Sequence, residues 1–229
     1  MKRRHLVVVF IACAASAVAA AAGPAAADPP PLGGSSGIVL DDSVTCSLTT
    51  IGYDGSGRLV GLTAGHCAGA GASVRVERAL AAGPVGTVVF SDQGRGLDYA
   101  IIEFEPSKVT PVRSVGQTTI AGFGAPPGTG ATVCSSGRSS GYDCGVVWGP
   151  MGDRIINQSC SVPGDSGGSV TVGDQLVGMN QGHYNPLGVD MQCVNAASPM
   201  HSPAYFRPIM EILQAVNATG GVGAGLRPV

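Results

Sequence analysis

Beyond residue 28 the chain is apolar only in short pieces. Runs at residues 44–51, 58–63, 73–77, 85–90 and 99–104, and again at 131–134, 142–148, 154–158, 169–172 and 175–180, alternate with clusters of Gly, Pro, Asn, Asp and Ser. Pieces of that length and spacing suit strands joined by tight turns, not helices that bury a face. Thirty-six residues are glycine and only 5% are aromatic, a balance that favours close turns. One segment differs. Residues 207–217 (RPIMEILQAVN) place Ile209, Ile212, Leu213 and Val216 on one helical face, and Gly220 and Gly221 stop it. The chain is therefore predicted to be all-β, a barrel or sandwich with a short C-terminal helix. The turn-rich APPGTG at 125–130 divides it into two β units, residues 38–125 and 126–229.

The N-terminus carries an export pattern. Lys2, Arg3 and Arg4 precede an apolar run from Leu6 to Ala22, and Ala25-Ala26-Ala27 offers an A-x-A cleavage site. Residues 1–27 are read as a signal peptide and the chain as secreted. The run is short and alanine-rich for a membrane anchor, so no membrane association is expected after signal removal. Residues 28–37 (DPPPLGGSSG) read as a short flexible lead or propeptide. Without the signal the chain has ten basic against fifteen acidic residues and no basic cluster. That excludes nucleic acid as an expected partner.

Six cysteines remain after the signal: Cys46, Cys67, Cys134, Cys144, Cys160 and Cys193. An even number in an exported chain implies disulfides. Six cysteines allow about fifteen pairings, of which consecutive pairing is the simplest. There is no C-x-x-C pair and the histidines are not spaced as ligands, so no metal is expected.

The stretch VPGDSGGSV at 162–170 places one aspartate and one serine among small residues. A serine hydroxyl attacks a carbonyl only with a base to take its proton, a group to orient that base, and donors for the oxyanion. His66, in LTAGHC, is the candidate base, with Cys67 beside it to fix the backbone. Asp98 heads the apolar run LDYAII, where an unpaired carboxylate would be costly to bury. Its rival, Asp92, stands in SDQG and reads as an exposed turn.

TAGHC, LDYAII and GDSGGS occur in that order and resemble the three motifs of chymotrypsin-like serine proteases. The CSSGRSSGYDCG segment at 134–145, and Cys160 six residues before Ser166, are similar to the bacterial secreted branch of streptogrisin and α-lytic type. The resemblance implies two antiparallel six-stranded β-barrels with the site between them, and the consecutive disulfide pairing. It implies His66, Asp98 and Ser166 as catalytic triad, and the N–H groups of Gly164 and Ser166 as oxyanion hole. It also implies a protein or peptide substrate, a monomer and no cofactor.

The chain departs from that pattern in two places. Ser135 stands where the bacterial branch has the arginine that pairs with the buried aspartate, here Asp165. Arg138, or an Ile38 amine freed by cleavage after Gly37, are the alternatives. Asn180 stands where a serine usually contacts the catalytic aspartate; with Gly182 it is assigned to the substrate pocket. Asp190 is read as loop surface or pocket floor, His183 as a rim residue, and Asn157 and Asn217 lie in glycosylation sequons. The competing reading is an inactive protease-like fold that serves as a binding protein.

Overall fold

A computed structural model describes residues 28–185, 188–194 and 200–229. The expected signal peptide, residues 1–27, lies outside the described residues. The first series of strands is β1 (Pro31–Leu32), β2 (Gly37–Leu40), β3 (Val44–Ser47), β4 (Thr50–Tyr53), β5 (Leu59–Thr63), β6 (Ser73–Val76), β7 (Gly86–Ser91) and β8 (Ala100–Phe104). Short pieces β9 (Thr110–Pro111), β10 (Ser114–Val115) and β11 (Thr118–Thr119) lead to β12 (Gly122–Phe123). The second series is β13 (Thr132–Gly137), β14 (Gly141–Met151), β15 (Arg154–Asn157), β16 (Ser169–Val172), β17 (Gln175–His183) and β18 (Ala204–Pro208). Helix α1 (Ile209–Thr219) and strand β19 (Arg227–Pro228) end the chain's described elements.

The second series closes on itself. β17 pairs with β16 on one side and with β18 on the other, so β17–β16–β13–β14–β15–β18 is a closed six-stranded antiparallel barrel. The first series runs β19–β4–β5–β8–β7–β6–β2–β3 and its two ends do not pair. The expected second closed barrel is thus an open eight-stranded sheet. Closure would require β3 to meet β4, and both edges are occupied. β4 takes β19 on its outer side (Tyr53 opposite Arg227), and the end of β3 gives its Ser47 N–H to the Ser166 carbonyl at 2.8 Å.

Most expected strands are present, with three differences. The run at 44–51 is split into β3 and β4 by Leu48 and Thr49, whose N–H groups donate to the carbonyls of Ser36 and Leu62. β2, β18 and the two-residue pieces β1, β9, β10, β11, β12 and β19 lie outside the expected runs; β18 ends at Pro208 and takes in Arg207, which the helical pattern had claimed. The boundary at 125/126 is crossed twice, because β12 pairs into the second sheet and β19 returns to the first. The helix buries the four residues its periodicity selects, and Gly220 caps it at a left-handed φ of 62°.

The lead at 28–37 is packed, contrary to expectation. β1 pairs in parallel with β9, Leu32 is fully buried, and Ser35 Oγ donates to Ser169 Oγ at 3.0 Å. Ile38 is also fully buried, with β2 paired on both edges. Apolar burial then divides in two. A large core joins the open sheet to α1, while a smaller cluster of Val133, Val147, Val170, Val177 and Phe206 lies in the barrel. The disulfides are Cys46–Cys67, Cys134–Cys144 and Cys160–Cys193, the consecutive pairing. Each constrains the unfolded chain, by roughly 2–4 kcal/mol. No helix among the described residues is long and apolar enough to cross a membrane.

Because Leu32 fills part of the large core, Leu32→Ala should lower unfolding free energy by about 2–5 kcal/mol in urea titration. A change below about 0.5 kcal/mol would mean that the lead contributes no packing.

Candidate active site

His66 and Asp98 meet at the open end of the first sheet. β5 runs into a 3₁₀ turn at Gly65–Cys67, and the Cys46–Cys67 bridge ties that turn to β3. Gly65 is required by close approach: a Cβ there would strike the Asp92 carboxylate and come within 2.9 Å of the Tyr99 backbone. The imidazole Nδ1 lies 2.9 Å from Asp98 Oδ2 and 3.1 Å from Oδ1, and the His66 N–H donates to Oδ1 at 2.8 Å. Asp98 is buried while the His66 side chain is 41% exposed, so the pair has an inner acid and an outward imidazole.

Asp92 is part of this arrangement, not a free turn residue. Its carboxylate accepts the N–H groups of Gly94 at 3.0 Å, Asp98 at 2.7 Å and Tyr99 at 3.2 Å. Those bonds fold residues 92–99 around it and hold Asp98 at a left-handed φ of 59°. Only the SDQG turn signal pointed there, and it gave no indication of the acceptors.

Ser166 arrives from the barrel, stitched to the open sheet. Ser47 donates through its N–H to the Ser166 carbonyl and through Oγ to the Gly164 carbonyl at 2.9 Å. Thr49 Oγ1 donates to the Gly167 carbonyl at 2.6 Å. A Cβ on Gly167 would come within 2.9 Å of the Ala64 nitrogen, two residues before His66. The loop carrying Ser166 therefore lies against the turn carrying His66. No hydrogen bond joins Ser166 Oγ to the imidazole, and among the described residues the N–H groups of Gly164 and Ser166 have no acceptor.

Asp165 is satisfied without an ion pair. It is buried, and its carboxylate accepts the N–H groups of Ser139 at 2.8 Å, Ser140 at 3.0 Å and Val162 at 2.9 Å. Arg138 is instead engaged by Glu77. In the intact chain Ile38 is buried within β2, paired on both edges.

Asn180 does not reach Asp98. It is 2% exposed, and its Nδ2 donates to Ser161 Oγ at 2.8 Å and the Asp165 carbonyl at 3.1 Å. It therefore belongs behind the Ser166 loop and not on an open pocket wall. Its neighbour Gln181 spans the seam, donating to the Leu97 carbonyl at 2.7 Å and the Asp98 carbonyl at 3.1 Å. Gly182, at φ 151°, follows a bulge in β17 and faces Tyr205. Beside it His183 Nε2 lies 3.2 Å from Asp190 Oδ1, so the two rim groups face each other. Asn157 is fully buried in β15, which removes its sequon as an acceptor in the folded chain. Among the described residues no group of three or more His, Cys, Asp or Glu could hold a metal ion.

Burial pushes the Asp98 carboxyl up, but the imidazole hydrogen bond, the His66 charge and the His66 N–H together outweigh it, leaving it below its ordinary 3.8. A carboxyl depressed by folding contributes stability above the unfolded value that is lost as pH falls through the folded one. Asp54 and Asp153 shift in the same sense. The stability advantage of the wild type over Asp98→Asn should therefore be constant above about pH 4 and shrink as pH falls below it. A carboxyl ¹³C titration of Asp98 with its midpoint above that value would contradict the assignment.

No family model matches the chain. Over 176 residues it is 27% identical to streptogrisin-C of Streptomyces griseus, a match covering 72% of this chain and 36% of that protein. It is 32% identical to serine protease 1 of Rarobacter faecitabidus over 136 residues, 53% of this chain and 26% of that one. The chain thus spans about a third and a quarter of the curated relatives it matches. The solved structure of Nocardiopsis protease superposes with a TM-score of 0.65 at 25% identity, covering 82% of this chain and 97% of that one. In sequence and in fold, the chain is similar to bacterial chymotrypsin-like serine proteases.

Proposed function

We propose that the chain is a secreted serine endopeptidase that cleaves protein or peptide substrates through an acyl-enzyme on Ser166. The observation that carries this reading is the His66–Asp98 pair, with the Ser166 loop bonded against the turn that bears His66. Ser166 Oγ attacks the scissile carbonyl carbon as the imidazole Nε2 takes its proton. Asp98 accepts from Nδ1–H, fixes that tautomer and stabilises the imidazolium. The imidazolium then protonates the leaving amine, and water repeats the sequence to release the acid. The unpaired N–H groups of Gly164 and Ser166 receive the oxyanion, a contribution of ~10²–10³ in rate per donor. The absence of a Ser166–His66 hydrogen bond is compatible with this, since such bonds often form only with substrate bound. It is also the one observation that favours the inactive, binding-protein reading.

Two lobes, residues 38–125 and 126–229, would place the substrate across their seam. The three disulfides fit an oxidising, extracellular setting, reached through the signal pattern at residues 1–27 and occupied as a monomer. The His183–Asp190 contact removes a lone charge from the pocket rim, which favours an uncharged side chain at the cleavage site.

A fluorophosphonate should label the mature protein once per chain, at Ser166 by mass spectrometric mapping. Label should be lost in Ser166→Ala and His66→Ala, and Asp98→Asn should lower kcat for a peptide substrate by ~10⁴. Folded, disulfide-bonded protein that takes no label would overturn the enzymatic reading in favour of the binding protein.

A further inference from the structure

The oxyanion donors sit on peptide planes that can face either way, and the residues behind them decide which. Val162-Pro163-Gly164-Asp165 is a four-residue turn closed by the Asp165 N–H on the Val162 carbonyl at 3.0 Å. Pro163 at its second position and Gly164 at its third, with φ of 98°, make it a type II turn. Type I differs chiefly by a flip of the central peptide. In that form the Pro163 carbonyl, not the Gly164 N–H, would face the site. In a trans peptide C=O and N–H point oppositely, and the described residues contain no cis bond. Whatever holds the Pro163 carbonyl at the back therefore aims the Gly164 N–H at the front.

That carbonyl is held by Ser139. Ser139 Oγ donates to it at 2.8 Å while accepting from Arg138 Nη1 at 2.8 Å. A hydroxyl has one proton, so the arginine on its lone pair commits that proton to Pro163. Arg138 is in turn clamped by both carboxylate oxygens of Glu77, with Nε at 2.8 Å from Oε2. Its N–H donates to Ser47 Oγ at 2.9 Å, the hydroxyl that also holds the Gly164 carbonyl. Glu77 follows β6 of the open sheet, and Arg138 and Ser139 lie in the β13–β14 turn of the barrel. On the other side of Gly164, the Asp165 carbonyl is captured by the Gly168 N–H at 2.9 Å and by Asn180, which orients the Ser166 N–H in the same way.

We propose that Ser139, aligned by the Glu77–Arg138 ion pair, is a positioning residue that locks the Pro163–Gly164 peptide with its N–H turned into the site. The inference rests on the protease reading for its kinetic consequence, but not for its structural one. Ser139 is exposed and Ser139→Ala leaves no buried cavity. With an ester substrate, Ser139→Ala should lower kcat about tenfold with KM unchanged, a fraction of the ~10²–10³ that a lost donor costs. Ser139→Thr should restore kcat, because the hydroxyl is kept, and Glu77→Gln should give a smaller loss of the same kind. Crystal structures of wild type and Ser139→Ala provide the second readout: the wild type should keep Gly164 in type II geometry, and the variant should show the flipped peptide. Active wild type with an unchanged kcat in Ser139→Ala would overturn the lock. If the wild type neither takes label nor turns over ester, the protease reading fails instead. The lock is then judged by the crystal structures alone, and it is overturned if the Pro163 carbonyl keeps its direction in the variant.

Discussion

Of the hydrogen bonds that join the two halves of the molecule, four at the β3–β4 corner hold the Ser166 loop in place, and the site depends on them. Ser47 gives its N–H to Ser166 and its hydroxyl to Gly164; Thr49 gives its hydroxyl to Gly167 and receives one from Ser169. Each links the end of β3 or the residues between β3 and β4 to the loop that carries Ser166 or to the start of β16 just after it. The bonds explain why the first sheet stays open: the edge that would close it is used on the other lobe. They also set the separation of a histidine and a serine that lie a hundred residues apart in the chain. Thr49 and Ser169 are fully buried, so an unmade bond there would leave a desolvated group, costing about 1–3 kcal/mol.

Around that seam the polar groups are arranged with little reliance on ion pairs. Asp165 is buried among three backbone N–H groups, and Asp98 faces His66 with a backbone N–H as further donor. Amides are fixed by the fold and carry no desolvated counter-charge, which avoids the cost of burying a full cation. The guanidinium nearest the Ser166 loop belongs to Arg138, and it is spent on Glu77 and Ser139 at the back of the loop. Backbone N–H groups thus stand where the resemblance implied a cation beside Asp165, and Arg138 lies outward of them.

Much of this was legible in the residues. Alternation in short runs marked β16 and the body of β5, β7 and β8, and the 3.6-residue period marked the buried face of α1. Consecutive cysteines paired consecutively. Other features depended on tertiary placement that local pattern does not carry. β18 follows Pro203 and ends on Pro208, with no apolar run to mark it, yet it has the strand edges that close the barrel. The lead at 28–37 has a linker's composition, but Leu32 finds a cavity in the core. The resemblance alone implied Asn180 near Asp98; with a bulge between Asn180 and Gly182, its amide lies behind the Ser166 loop and Gln181 reaches the seam. Asp92 was discounted because a turn aspartate is usually solvated, and only the folded loop shows it accepting three N–H groups.

The decisive question is whether Ser166 becomes acylated at a rate set by His66. Stopped-flow mixing of the mature protein with a nitrophenyl ester answers it most directly. A burst of nitrophenol equal to the chain concentration, then slower turnover, with the burst absent from Ser166→Ala, is the expected result. Linear release of the same slope in the wild type and Ser166→Ala would contradict an acyl-enzyme on this serine.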